Sequence, residues 1–223
     1  MNKVILCDVN ETLLDLSALQ PHFEEAFGES AAMQPWFAVL LHTSLVTTVT
    51  DAYQNFGALA GAALDVVAAR QGADLSDDHR RAILGTVREL PPHPDVVPSL
   101  ERLRDAGFRL ATLTNSAQAV VTDQISNAGL SDFFEELISV DEIGAYKPAP
   151  EPYNLAASKL GVGLDQMRLI AAHDWDVFGA LRAGCRAAFI ARGGRIIHPL
   201  YDTPDVIGPD LIKVTDQILE LDA

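Results

Sequence analysis

Lysine is scarce in this 223-residue chain, which has four. Lysine and arginine together number 16 against 31 aspartates and glutamates, giving a net charge of −15. That balance argues against nucleic acid and anionic membrane surfaces as partners, because both would repel it. It says little about small substrates, whose binding depends on local charge. Cysteine is nearly absent: Cys7 and Cys185 are too few for a disulfide framework. Cys7, next to Asp8, reads as a buried apolar thiol. No apolar run reaches the ~18 residues that a membrane span needs. The chain does not open with the basic, apolar and small-residue succession of a signal peptide. Repeats and low-complexity tracts are missing as well. The expectation is a soluble, cytoplasmic protein. Hydrophobic residues make up 48% and charged residues 21%, enough to bury a core. The length suits one domain, or one domain with a smaller insertion.

The chain begins with a short β-type run, Val4 to Leu6, that stops on Asp8 in "KVILCDVNETLLDL". From Ser17 to about Leu90 the pattern is helical. Ser17 is suited to cap a segment ending near Phe27, and Pro35 to open another through Trp36, Leu40 and Leu45. Phe56 to Arg70 is rich in alanine and leucine, and Ser76 caps a segment to Arg88 that starts with acids. "LPPHPD" (Leu90 to Asp95) breaks the pattern. Strands then alternate with helices. The strands are 108–114, 136–140, 168–173 and 185–190. The helices are 96–106, 117–128, 151–160 and 175–183, each ending on glycine. This alternation predicts an α/β fold: a Rossmann-like, doubly wound parallel sheet with a helical cap inserted after the first strand. The core is expected over residues 1–14 and 91–223, and the cap over 15–90.

Ligands of such sheets bind beyond the carboxyl ends of the strands. The polar residues expected at that edge are Asp8, Asn10 and Thr12 from the first strand, and Thr114, Asn115 and Ser116 from the second. The loop after the third carries Lys147 in "GAYKPAPEPY", and the fourth delivers His173, Asp174 and Asp176 in "AAHDWDVFGA". Taken alone, Thr114 to Ser116 equally suits a helix cap, and Asp176 a first-turn acid drawn by the helix dipole.

Together the four segments resemble the haloacid dehalogenase superfamily. Within it they are most similar to the L-2-haloacid dehalogenases, on "DVNETLLDL", the helical insertion after it, "TNS", "KPAPEPY" with Tyr153, and "WDVFGA". The resemblance covers essentially the whole chain. It implies a hydrolytic dehalogenase of small 2-haloalkanoic acids, often a homodimer, that needs no cofactor and no metal. Asp8 would be the nucleophile that forms an ester. Lys147 would keep it ionised, and Thr12 would help to hold its oxygens. His173 and Asp176 would position and deprotonate the hydrolytic water. Val9, Asn10, Thr114 and Asn115 would contact substrate. Phe37, Leu41, Tyr153 and Trp175 would wall a dry, compact pocket.

Three departures stand out. Related enzymes carry an arginine just after the tryptophan of the second cap helix, where this chain has Phe37, with His42 farther along as a weak substitute. Where the fourth motif usually offers serine and asparagine, this chain has Ala171 and His173, and a histidine can act as a base near neutral pH. Asn10 replaces the acid that phosphatases of the superfamily use to protonate their leaving group. Two alternatives stay open: a Mg²⁺-dependent phosphatase of the same superfamily, and a small-acid-binding protein with reduced catalysis.

Overall fold

A computed structural model describes residues 4–222; residues 1–3 and 223 of the expected core lie outside it. Its centre is a parallel sheet of six strands: β1 (Val4–Cys7), β2 (Arg109–Thr114), β3 (Glu136–Ser139), β4 (Met167–Ala171), β5 (Arg186–Ile190) and β6 (Val206–Gly208). Their order is β3-β2-β1-β4-β5-β6. β1 is buried along its whole length, as an inner strand covered on both faces must be. It pairs with β2 on one side and β4 on the other, so the chain reverses its winding there. That switch point opens a crevice at the strand ends.

Helices α5 (Val96–Asp105), α6 (Gln118–Asn127), α7 (Pro150–Leu160), α8 (Asp174–Ala183) and α9 (Leu211–Asp222) complete the sheet's layers. Pro150 starts α7, where its missing N–H costs nothing, and Gly161 ends it with φ 65. Short β6 and the amphipathic α9 were not foreseen; three residues of strand carry too little pattern to be read.

Four further helices follow β1: α1 (Gln20–Phe27), α2 (Met33–Val49), α3 (Phe56–Gln71) and α4 (Asp77–Thr86). They pack on one another, α2 against α3 and α1 against α4. Asn55 caps α3 by accepting from the Ala58 N–H at 2.9 Å, and Ser76 caps α4 through the His79 N–H at 3.1 Å. Ser17 is not a cap. Asp15 takes that role, accepting the Ser17 N–H at 2.9 Å to open a single 3-10 turn before α1. Pro35 lies in the third position of α2 instead of opening it, which the free first turn tolerates. Trp36 anchors the helical layer: it is buried, and its Nε1 donates to the Ala60 carbonyl at 3.0 Å.

Candidate active site

Asp8 is the first residue beyond β1, and its N–H donates to the Ile170 carbonyl on β4 at 3.0 Å. The side chain is therefore fixed at the switch point with little freedom. One carboxylate oxygen accepts from Lys147 Nζ at 2.9 Å; the other accepts from Thr12 Oγ1 at 2.6 Å and lies 3.3 Å from His173 Nδ1. Burial alone would raise the Asp8 pKa. The Lys147 charge outweighs that, helped by His173, and holds it far below the usual carboxylate range. Thr12 in turn accepts the Ala172 N–H at 2.9 Å, tying the first loop to the end of β4.

Lys147 is buried, and each of its three ammonium protons has an acceptor: Asp8 at 2.9 Å, the Leu113 carbonyl at 2.9 Å and Asp176 at 2.6 Å. Desolvation works against this charge, but Asp176 and Asp8 together raise its pKa. Asp176, expected to help handle the water, is engaged with protein groups in the resting site. It is wholly buried, with one oxygen on Lys147 and the other accepting the Tyr153 hydroxyl at 2.6 Å. Burial, with the nearby Asp8 charge, raises its pKa.

Tyr153 likewise does not wall a pocket. It is fully buried beneath Asp176, whose carbonyl it also reaches at 3.1 Å. Gly179 makes room for it. A Cβ there would stand 2.4 Å from Pro148 Cβ and 2.7 Å from the Tyr153 hydroxyl.

His173, also expected to act on the water, lies between two carboxylates. Its Nε2 pairs with Glu11 at 2.8 Å while Nδ1 faces Asp8. Burial opposes the charged form, but the two carboxylates win and raise its pKa to about 9. With both carboxylates ionised, the charged form of the ring is favoured. Trp175 stacks on its ring at 5.1 Å between centroids, and Phe37 tilts against it at 5.9 Å. Glu11 itself receives Arg195 Nη2 at 2.5 Å. Burial would raise its pKa, but His173 and Arg195 hold it below the usual range. Glu11 adopts a left-handed backbone, φ 62, rare for a non-glycine residue. Neither Glu11 nor Arg195 stood out in the sequence. The acid three residues after Asp8 was the available signal, but it acquires meaning only once His173 is folded against it.

On the β2 side, Asn115 accepts the Lys147 N–H at 3.0 Å through Oδ1, which leaves its amide nitrogen as a donor. Thr114 accepts the Ser116 N–H at 3.1 Å, a local turn. Val9 is fully buried. Asn10 donates to Ser116 Oγ at 3.1 Å and accepts from Gln124 at 2.9 Å. The same Gln124 nitrogen donates to the Val87 carbonyl at 2.8 Å. Asn10 thus braces the loop against the return from the helical layer.

A cavity of about 400 Å³ lies between the helical layer and the strand ends, and Asn10, Phe37 and Ser116 are among its walls. Phe37, expected to narrow the pocket, is one of the walls of this cavity. Leu41 is half-buried outside those walls, and His42 is exposed. The cations at the cavity come from α4 and the turn after it: Arg80, Arg81 and Arg88, not from α2. Among the described residues, no three His, Cys, Asp or Glu side chains are arranged to hold a metal. The residues do not fit a Mg²⁺ site: Asp8 and Asp176 direct their oxygens at Lys147, Thr12, His173 and Tyr153, and Ala172 offers no ligand.

This defines a class: a Rossmann-like α/β protein whose first strand delivers a buried, ionised aspartate against a lysine, with a helical insertion above. A model of the haloacid dehalogenase-like hydrolases matches residues 2–184. The (S)-2-haloacid dehalogenase of Pseudomonas sp. (strain YL) is 30% identical over 207 residues, 91% of this chain and 88% of its own. Haloacetate dehalogenase H-2 of Moraxella sp. (strain B) is 29% identical, covering 98% and 97%. Among solved structures, the L-2-haloacid dehalogenase of Xanthobacter autotrophicus with chloropropionic acid covalently bound superposes with a TM-score of 0.92 over 100% of both chains, at 23% identity. The chain belongs to the haloacid dehalogenase-like hydrolases.

Proposed function

We propose that this protein hydrolyses the carbon–halogen bond of 2-haloalkanoic acids through an ester on Asp8, without a metal. The observation that carries this reading is the Asp8–Lys147 pair, a carboxylate kept ionised in a buried site. An Asp8 oxygen attacks the α-carbon opposite the halide. The new C–O bond forms as the C–halogen bond breaks, and the halide leaves with the electron pair. Halide needs no proton, so Asn10 costs the reaction nothing. The Asn115 amide nitrogen and nearby backbone N–H groups are suited to hold the substrate carboxylate.

Forming the ester removes the Asp8 charge, one of the two that keep His173 protonated. Its pKa then falls, its proton is released, and the neutral imidazole, oriented by Glu11, can take a proton from water. That water attacks the Asp8 carbonyl, the 2-hydroxy acid departs, and Asp8 is regenerated with one oxygen from water.

Residues 15–90 form the cap in this reading. Leu45, Val46 and Val49, exposed along one stripe of α2, support a homodimer. Two buried, unpaired cysteines fit a reducing, cytoplasmic setting. No described helix is long and apolar enough to cross a membrane.

The test is halide release from both enantiomers of 2-chloropropionate, with and without EDTA. Release that EDTA leaves unchanged, with no hydrolysis of p-nitrophenyl phosphate in Mg²⁺, is expected. Mg²⁺-dependent phosphate release without halide release would overturn the reading.

A further inference from the structure

The cavity of about 400 Å³ falls in the size range of small-molecule sites, and a two-carbon haloacid would leave most of it empty. Leu16, Trp36, Leu40, Phe56, Leu84 and Val120 give it an apolar surface. Its polar walls are already committed. Asn10 and Ser116 bond each other, and Trp36 Nε1 is on Ala60. Arg80 pairs with Asp65 at 2.6 Å, Arg81 with Asp78, and Arg88 with Asp123. Apart from the remaining guanidinium N–H groups at the outer wall, what is on offer is apolar contact.

Two walls also carry glycine inside helices, Gly57 in α3 and Gly85 in α4. Glycine is a poor helix former and needs a reason in such places. At Gly85 the backbone has ordinary φ, and a Cβ would meet nothing within 4 Å. Neither conformation nor crowding calls for glycine there; the position is exposed, at the rim of the cavity, and has room for a larger side chain.

The cavity adjoins the reaction centre. Asn10 lies two residues past Asp8, and Phe37 packs on His173. We propose that the cavity takes the substrate's apolar tail, so that the preferred substrates are 2-haloacids bearing a butyl group or larger, or a phenyl ring, on the α-carbon. This rests on the dehalogenase reading above.

The test compares bromide release from bromoacetate, 2-bromopropionate, 2-bromohexanoate, 2-bromooctanoate and α-bromophenylacetate, so that the leaving group stays constant. Each methylene that enters the cavity should raise kcat/KM about two- to fourfold, up to the length the cavity holds. In Gly85→Leu, which adds bulk to that wall of the cavity, the ratio of kcat/KM for bromohexanoate over bromopropionate should fall at least tenfold. Gly85→Ala should fall between. A ratio readout is insensitive to a general loss of folded protein. A flat or falling length profile in the wild type, or equal losses for all acids in Gly85→Leu, overturns the proposal.

Calorimetry with unhalogenated propionate, hexanoate and octanoate separates the two readings. If no bromide is released from any acid, dehalogenation fails. Tighter octanoate binding, lost in Gly85→Leu, would still uphold the tail site, and equal or no binding of the three acids would sink it.

Discussion

His173 and Glu11 face each other at 2.8 Å from strand ends more than a hundred and fifty residues apart in sequence, and Glu11 owes its place to a left-handed turn. Asp8 lies 3.3 Å from the other ring nitrogen, so in the proposed mechanism forming the ester would remove half of the charge that holds the histidine protonated. His173→Ala should therefore still form the ester but clear it slowly. Mixing this variant with 2-chloropropionate should leave an Asp8 adduct visible by mass spectrometry, with turnover down at least a hundredfold. Undiminished turnover would assign the ring to packing.

The same histidine links stability to pH. Its folded pKa, about 9, lies above the ordinary 6.5. The stabilisation from its charged form is thus complete below about 6.5 and is lost as pH rises through 9. Thermal unfolding of the wild type should show Tm falling between pH 7 and 9.5, and His173→Gln should flatten that slope. Parallel curves would show that the slope has another origin.

Asp8→Asn should abolish halide release, since an amide cannot form the ester. In ¹⁸O-water, one turnover of wild-type enzyme should place the label on Asp8 before it reaches product. Label in the first-turnover product alone would mean that water attacks the substrate directly.

Removing Lys147 would leave Asp8 and Asp176 close together in a buried site without their shared cation. Breaking a buried ion pair by deleting one partner typically costs about 3–5 kcal/mol. Lys147→Ala should lose activity and unfold at much lower temperature. The defect should ease as pH falls, because protonating one carboxylate relieves the repulsion. A variant equally destabilised at pH 5 and pH 8 would contradict this account.

Gly179→Ala tests the packing under the site. The new methyl would strike Pro148 and the Tyr153 hydroxyl, pushing on the residue next to Lys147 and on the group that holds Asp176. Overpacking of this kind costs about 1–3 kcal/mol. Chemical denaturation should show that loss together with reduced kcat, and an unperturbed Asp8–Lys147 pair would appear as unchanged kcat.

The sheet, most helices and the gathering of Asp8, Lys147 and Asp176 at one edge were legible because each leaves a local mark: an apolar run ending on an acid, a lysine before proline, a glycine after a helix. What was illegible is relational. Tyr153 and Asp176 look like site residues in sequence, yet they face each other below the surface. The protonation of His173 depends on Glu11, 162 residues away, and no spacing rule connects the two. The cavity past Phe37 is made by four helices and the strand ends together, so the bulk of one side chain said nothing about its size.

Glu11 has one more consequence. A left-handed conformation costs a residue with a Cβ roughly 1–2 kcal/mol, and glycine would adopt it freely. What glycine gave the backbone it would take from His173. Selection for a relaxed chain and selection for turnover pull position 11 in opposite directions.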